Sequence, residues 1–309
     1  MPTSEGVFFV PEMSTDARIR VFRRNLNLPG EFEGMEVDAY VILTERYLVL
    51  FDTMLCPEDM TEVMQHVQHD LTGRQLLVVN SHADWDHSWG NCYFTGEHAA
   101  PIIAQDYCLI RLQSDEAHTG LVDYQQRYPV FRNVVLAPPT ITFSDHFTIY
   151  GGDLTIELLP APGHHPDHIA AWIPELRLLL AFDAVEKPLP VMENAASVQS
   201  MFATLTHFLA LKPAQVLCSH GKSTSPALVQ DNLTYLREIE RRSRSFLRTQ
   251  TPTNAQLEHA ATLIGYPFEE VIAGNADPID SVFYSWAHDA NVRNIVQWLM
   301  SKPDKNIQE

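Results

Sequence analysis

Several apolar stretches of this chain run directly into a histidine or an aspartate, and that repetition constrains the fold more than any other feature. RQLLVVNSHADWDH carries His82, Asp84, Asp86 and His87; LLPAPGHHPDH carries His164, His165 and His168; RLLLAFDAV reaches Asp183; QVLCSHG reaches His220. Short buried strands that deliver donors at their ends line one edge of a sheet with chemistry, as open α/β sheets do. A carboxylate such as Asp183 is costly to leave unpaired at the edge of a core. At a strand end, residues i and i+2 point the same way, so His82 and Asp84 can face one metal ion. Asp86 and His87 lie a turn further on and can reach a second. Imidazole suits zinc or iron, and carboxylate oxygen draws a site towards harder ions. A solvated turn or a helix cap would account for one such loop. A lone histidine after a strand is commonly structural, but four strand ends in this order are not.

The rest of the chain supplies a setting for those ends. DAYVILTERYLVLFDT (38–53) reads as two strands around Thr44-Glu45-Arg46, ending at Asp52. Pro57 stands where a first helical turn begins, and EDMTEVMQHVQHDL continues at helical spacing to Gly73. TITFSDHFTIY and LTIELLPAPG read as strands broken by Gly151-Gly152, and HIAAWIPELRLLLAFD as a strand pair turning at Pro174-Glu175. Residues 92–135 give no strong signal and read as partly helical. Beyond about residue 225 the pattern becomes helical, in PALVQDNLTYLREIERRSRSFL, NAQLEHAATLIG and SVFYSWAHDANVRNIVQWLMS. The expected organisation is an α/β catalytic domain over 1–225 and a helical extension over 226–309 packed on it.

Charge narrows the partners. With 21 Lys and Arg against 39 Asp and Glu, the formal charge is −18. That excludes a basic footprint for nucleic acid or an anionic membrane surface, although a bound metal can still favour a small anion locally. Cys56, Cys92, Cys108 and Cys218 form no CxxC pair and read as reduced, mostly buried thiols. MPTSEGVFFVPEM has no basic region of the kind a signal peptide carries, and no stretch approaches the roughly 20 apolar residues of a membrane span. A cytoplasmic protein acting on a small molecule is expected, and a homodimer is compatible with the sequence.

The motifs carry a resemblance. HADWDH is similar to the H-x-H-x-D-H signature of the metallo-β-lactamase-fold hydrolases, in an H-x-D-x-D-H variant. PGHHPDH resembles their PGH-T/S-P-G/D-H turn, AFDA their bridging-aspartate strand and CSHG their last histidine. Asp52 in LVLFDT matches the aspartate that often closes the second strand of that fold. The resemblance covers about residues 35–225 and is nearest to glyoxalase II- and lactonase-like members. It implies a four-layer αββα sandwich with two divalent metal ions at one edge. His82, Asp84 and His164 would bind the first, Asp86, His87 and His220 the second, and Asp183 would bridge them. His164 is preferred to His165 because it follows Pro162-Gly163 directly. His168 matches a position beside the site, with a substrate-facing or supporting role. Zinc is the first expectation; Asp84, where most members have histidine, admits manganese or iron.

The implied reaction is hydrolysis of an ester, thioester or lactone by a metal-bridging hydroxide, with leaving-group protonation by Asp86 or water. The β-lactam hydrolases typically use a cysteine ligand and lack the bridging aspartate. With Asp183 present and Cys218 read as core, β-lactam hydrolysis is not expected. The alternatives are an iron-dependent oxidoreductase or dioxygenase of the same fold, and a non-enzymatic metal-binding sensor. Phe283, Tyr284, Trp286, His288 and Trp298 on the last helix read as a packed apolar face before a substrate lid. Trp85 and Trp89 are candidates for walls of the site. Arg237, Arg241, Arg242, Arg244 and Arg248 read as a solvated helix face.

Overall fold

Runs such as YVIL, LVLF and LLVV leave no polar face, so the sheets they build must be covered on both sides. In the computed structural model, which describes residues 6–302, they form two sheets packed face to face, with helices outside. Residues 1–5 and 303–309, the ends of the N-terminal stretch and of the C-terminal extension, lie outside the described residues.

The first sheet has seven strands in chain order: β1 (Phe8–Phe9), β2 (Ile19–Leu28), β3 (Phe32–Leu43), β4 (Tyr47–Phe51), β5 (Gln75–Val79), β6 (Ile102–Gln105) and β7 (Ile141–Phe143). Pairing is antiparallel from β1 to β4 and parallel from β4 to β7. Parallel neighbours need crossovers. Helix α1 (Pro57–Val67) joins β4 to β5, the short α2 (Trp85–Ser88) follows β5, and α3 (Asp106–Leu112) and α4 (Asp115–Arg127) join β6 to β7. The second sheet has β8 (Phe147–Tyr150), β9 (Thr155–Pro160), β10 (Ile169–Ile173), β11 (Leu178–Leu180) and β12 (Gln215–Leu217). Only β11 and β12 are parallel there, joined through α5 (Val198–Leu211).

The two-residue period sorts each strand between two cores. Tyr40, Ile42, Val49, Phe51 and Val79 meet Ile156, Leu158, Ile169, Leu180 and Leu217 between the sheets. Val41, Leu48, Leu50 and Val78 belong instead to the outer core with Met60, Val63 and Val67 of α1. Full burial of each such side chain stabilises by about 1.5–3 kcal/mol. Helix α1 forms where it does because Pro57 at its first position gives up no needed N–H, and Glu58 and Asp59 face the positive end of the helix.

Helices α6 (Ala227–Leu247), α7 (Asn254–Leu257), α8 (Ala260–Leu263), α9 (Phe268–Val271) and α10 (Ser281–Met300) make up the C-terminal part. Leu228, Leu233, Leu236 and Ile239 of α6 are buried, and α6 and α10 both pack on α5. NAQLEHAATLIG, which reads as one helix, is two single turns, because His259 leaves helical geometry at ψ 49°. In the stretch without a strong signal, Ile102–Gln105 forms a strand buried at every position; four residues are too few to show a period. Asp280 caps α10, accepting from the N–H groups of Val282 and Phe283, while its other oxygen accepts from Glu33 N at 2.8 Å. The start of α10 is thereby fastened to β3. Among the described residues, no helix is long and apolar enough to cross a membrane.

Candidate metal centre

The donors singled out in the sequence arrive at one edge of the sandwich from successive strand ends. His82, Asp84, Asp86 and His87 follow β5, with the last two inside α2; His164 lies between β9 and β10; Asp183 follows β11; His220 follows β12. Local backbone makes this geometry. Gly163 takes φ 147°, and a Cβ there would come within 2.7 Å of Met201 Cα in α5, so the PGH turn needs glycine. Asp52 and Phe182 hold positive φ values of 61° and 47°, conformations that cost energy and cluster at functional sites.

Two groupings converge, with Asp183 between them. His82 Nε2 and His164 Nε2 lie 3.5 and 3.6 Å from Asp84 Oδ2, and 3.7 and 3.6 Å from Asp183 Oδ2. His87 Nε2 and His220 Nε2 both lie 3.5 Å from Asp86 Oδ2, and 3.3 and 3.4 Å from Asp183 Oδ2. Within each of three sets (His82, Asp84, His164; His82, His87, Asp183; Asp86, His87, His220) the donor atoms lie within 4.8 Å of one another. His165 Nε2 also approaches Asp84 Oδ2, at 3.1 Å, but it enters none of the three sets.

Hydrogen bonds behind the rings choose which nitrogen faces inward. The Nδ1–H of His164 donates to Val191 O at 3.1 Å and that of His220 to Glu36 O at 2.7 Å. His87 Nδ1 bonds Asp52 Oδ2 at 2.9 Å, and His82 Nδ1 bonds Ser81 Oγ at 2.9 Å. Asp52 takes the Ser81 hydroxyl and N–H as well, at 2.7 and 2.6 Å. With the outer nitrogen donating, Nε2 keeps its lone pair for the centre. The turn carrying His220 is braced in turn, because Arg23 forks onto the buried Asp38 and bonds Gly221 O at 2.8 Å.

The inward atoms have nothing to bind. His82 Nε2, His87 Nε2 and His164 Nε2, gathered around Asp183 Oδ2, are buried without a hydrogen-bond partner. Each such orphan costs about 1–3 kcal/mol, so several aimed at one point are the signature of a cation site. Imidazole nitrogens with carboxylate oxygens are a donor set that fits divalent zinc, manganese or iron.

Residues 33–220, more than half of the chain, match the family described as the metallo-β-lactamase superfamily. The chain belongs to the metallo-β-lactamase superfamily. Its members are generally metal-dependent hydrolases, which agrees with the donor set. No curated protein matches the sequence. Among solved structures, a metallo-β-lactamase family protein from Thermus thermophilus superposes with a TM-score of 0.63 at 14% identity, covering 92% of this chain and 93% of that one. A metallo-β-lactamase from Pontibacter korlensis gives 0.59 at 16% identity, over 74% of this chain and 97% of its own. The metallo-β-lactamase FIM-1 from Pseudomonas aeruginosa, in a mono-zinc form, gives 0.55 at 13% identity, over 75% and 96%. At these identities the likeness is one of fold.

Within this metallo-β-lactamase-fold centre, Asp84 has a partner that no motif announces. Arg111 of α3 donates to Asp84 Oδ1 and Asp167 Oδ1, each at 2.6 Å, and Asp167 Oδ2 accepts from Ala83 N at 2.8 Å. The guanidinium ties the first ligand loop to the HHPDH turn and balances the extra carboxylate. His168 is fully buried, its ring 5.1 Å from that of His82, with both nitrogens unpartnered. It does not line the cavity, and burial drops its pKa to about 3, so it stays neutral.

Charges around the centre are strongly coupled. Burial opposes ionisation throughout, yet His87 and His220 hold Asp183, and His82 and His165 hold Asp84, well below the usual carboxylate range. Burial likewise opposes the charged form of His164 and His220. Asp84 raises His164 to about 9, and Asp183 raises His220 to about 10. A cavity of about 270 Å³ opens over these residues, bordered by Trp85, Phe283 and Trp286. Helix α10 therefore serves both readings of its aromatic residues. Tyr284 and His288 are buried, Trp298 packs 6.2 Å from Phe202, and Phe283 and Trp286 face the cavity. Trp89, by contrast, sits in the core between Tyr124 and Phe131. Arg241, Arg242 and Arg244 of α6 pair with Glu238, Glu240 and Glu270.

Proposed function

We propose that this protein is a dinuclear metal-dependent hydrolase of an ester, thioester or lactone-type small molecule, with zinc as the first expectation and manganese or iron admitted by Asp84. The observation that carries this reading is the convergence of the unpartnered ring nitrogens of His82, His87 and His164 on the carboxylate of Asp183, with each ring fixed from behind. His82, Asp84 and His164 would hold one ion, Asp86, His87 and His220 the other, and Asp183 would serve both. Bound divalent ions supply a water made acidic near neutrality and polarisation of a carbonyl oxygen.

The chain's own residues do the rest. Ser81 and Asp52 hold the rings of His82 and His87, and Arg111 holds Asp84 in place. Asp86 borders the cavity, and Asp86 or a water molecule would pass a proton to the leaving group. His168, behind His82, supports the ligand loop rather than meeting the substrate. The test is metal analysis of purified and reconstituted protein, followed by turnover of esters, lactones, thioesters, phosphodiesters and β-lactams. Two equivalents of metal with carbonyl cleavage are expected. No metal after reconstitution, or oxygen consumption without hydrolysis, would overturn the reading.

A further inference from the structure

The cavity over the centre is lined by groups of two characters. One is a run of rings, with Phe32 of β3 5.5 Å from Trp85 and 5.4 Å from Phe283, and Phe283 5.9 Å from Trp286. The Asp280 cap that ties α10 to Glu33 sets this wall in place. Trp286 is 58% exposed, an unusual state for an indole that contributes nothing to a core. The lining also includes Glu193 and, buried and accepting from the Tyr284 hydroxyl, Glu186, beyond the aspartates of the centre itself.

No lysine or arginine borders this cavity among the described residues. The guanidinium that reaches the centre, Arg111, is turned to Asp84 and Asp167 and lies outside the lining. Lys187, beside Glu186 in sequence, closes on Asp277 at 2.6 Å. A carboxylate or phosphate carried by a substrate away from its reacting bond, and so away from the metal ligands, would find Glu193 and rings there, and no lysine or arginine. Desolvating an anion in such a place is unfavourable, and the charge of −18 slows its approach. An uncharged aromatic or aliphatic body would cover the rings instead, where offset stacking and burial of apolar area are favourable.

Resting on the hydrolase reading, we propose that the substrates are uncharged esters or lactones bearing an apolar body, seated on Phe32, Phe283 and Trp286, and that the site rejects substrates with a remote anionic group. In the reaction a water oxygen bonds to the carbonyl carbon, the acyl C–O bond breaks and the water's proton passes to the departing alcohol oxygen. The products are an acid and an alcohol, or one hydroxy acid from a lactone.

The test compares methyl 3-phenylpropanoate with its analogue carrying a ring carboxylate, using metal-reconstituted protein. The neutral ester should show a kcat/KM about ten-fold or more higher, the scale of one like-charge contact near a surface. Glu193→Lys should shrink that ratio, and Trp286→Ala should raise KM for the neutral ester with little change in kcat. Equal kcat/KM for the two esters, or a ratio indifferent to Glu193→Lys, would overturn the proposal. Binding of the two corresponding non-hydrolysable methyl ketones, read by tryptophan fluorescence, separates the two claims. Tighter binding of the neutral ketone without turnover of either ester removes the hydrolase reading and keeps the selectivity. Equal binding removes the selectivity whatever the turnover.

Discussion

The two halves of the centre use the same donor chemistry in different electrostatic surroundings. In the half built from His82, Asp84 and His164, the carboxylate is shared with a guanidinium, and its side chain keeps 23% of its exposure. In the half built from Asp86, His87 and His220, the carboxylate has no lysine or arginine beside it among the described ion pairs, and 10% of its side chain is exposed. Asp52 stands behind His87 and increases the electron-donating power of that ring. A positive charge held against one half and a negative charge behind the other should make the second half the tighter cation site. The difference comes from residues around the donors, and the donors alone would suggest two equal sites.

The largest expected effect abolishes the comparison. Asp183→Ala removes the carboxylate that both halves share, and should cost both ions and about 100-fold or more in kcat/KM, beyond what loss of an outer partner costs. Metal content and turnover measured on the same sample check this, and two retained equivalents would contradict it. Next comes Arg111→Met, which leaves the fully buried Asp167 without its ion-pair partner. Breaking a buried pair from one side costs about 3 kcal/mol, visible as a lower denaturation midpoint. Asp167→Asn in the same chain should recover much of that loss; no recovery would mean that Arg111 acts chiefly on Asp84.

Asp84→His tests the asymmetry itself. Placing an imidazole beside Arg111 should weaken the first half by about ten-fold in zinc affinity, with the second half little changed. Adding Arg111→Met to that variant should restore the affinity. Titration calorimetry resolves the two binding events, and equal losses at both halves would end the distinction. The smallest effect is in pH. His164 and His220 bind protons in the metal-free protein up to about pH 9 and 10. Metal binding must displace those protons, so affinity should rise with pH across the neutral range, and protons should be released at neutral pH. Calorimetry in buffers of different ionisation enthalpy counts them.

Much of the sandwich is legible in the sequence because its signals are local. Strands such as LVLFDT and RQLLVVNS announce themselves within a few residues, and turns such as Pro162-Gly163 follow from steric limits on single residues. The family resemblance extended that reading to the layer order. β6 escaped because four buried residues carry no period, and the break at His259 escaped because a helical pattern of apolar spacing does not show where the backbone departs from it.

Around the centre the division is the same. The strand-end histidines and aspartates stand out because each closes an apolar run, where an unpaired polar group would be costly. Arg111 has no such mark: it is an arginine on a short helix, 27 residues from Asp84, and only the fold aims it at that carboxylate. Glu186 and Trp286 join one cavity from separate elements, which neither spacing nor composition can reveal. The sequence by itself determined which donors exist and that they gather at strand ends, since both depend on neighbouring residues. Tertiary structure alone decided the charge balance of each half and the character of the cavity, because those depend on side chains that meet across long stretches of chain.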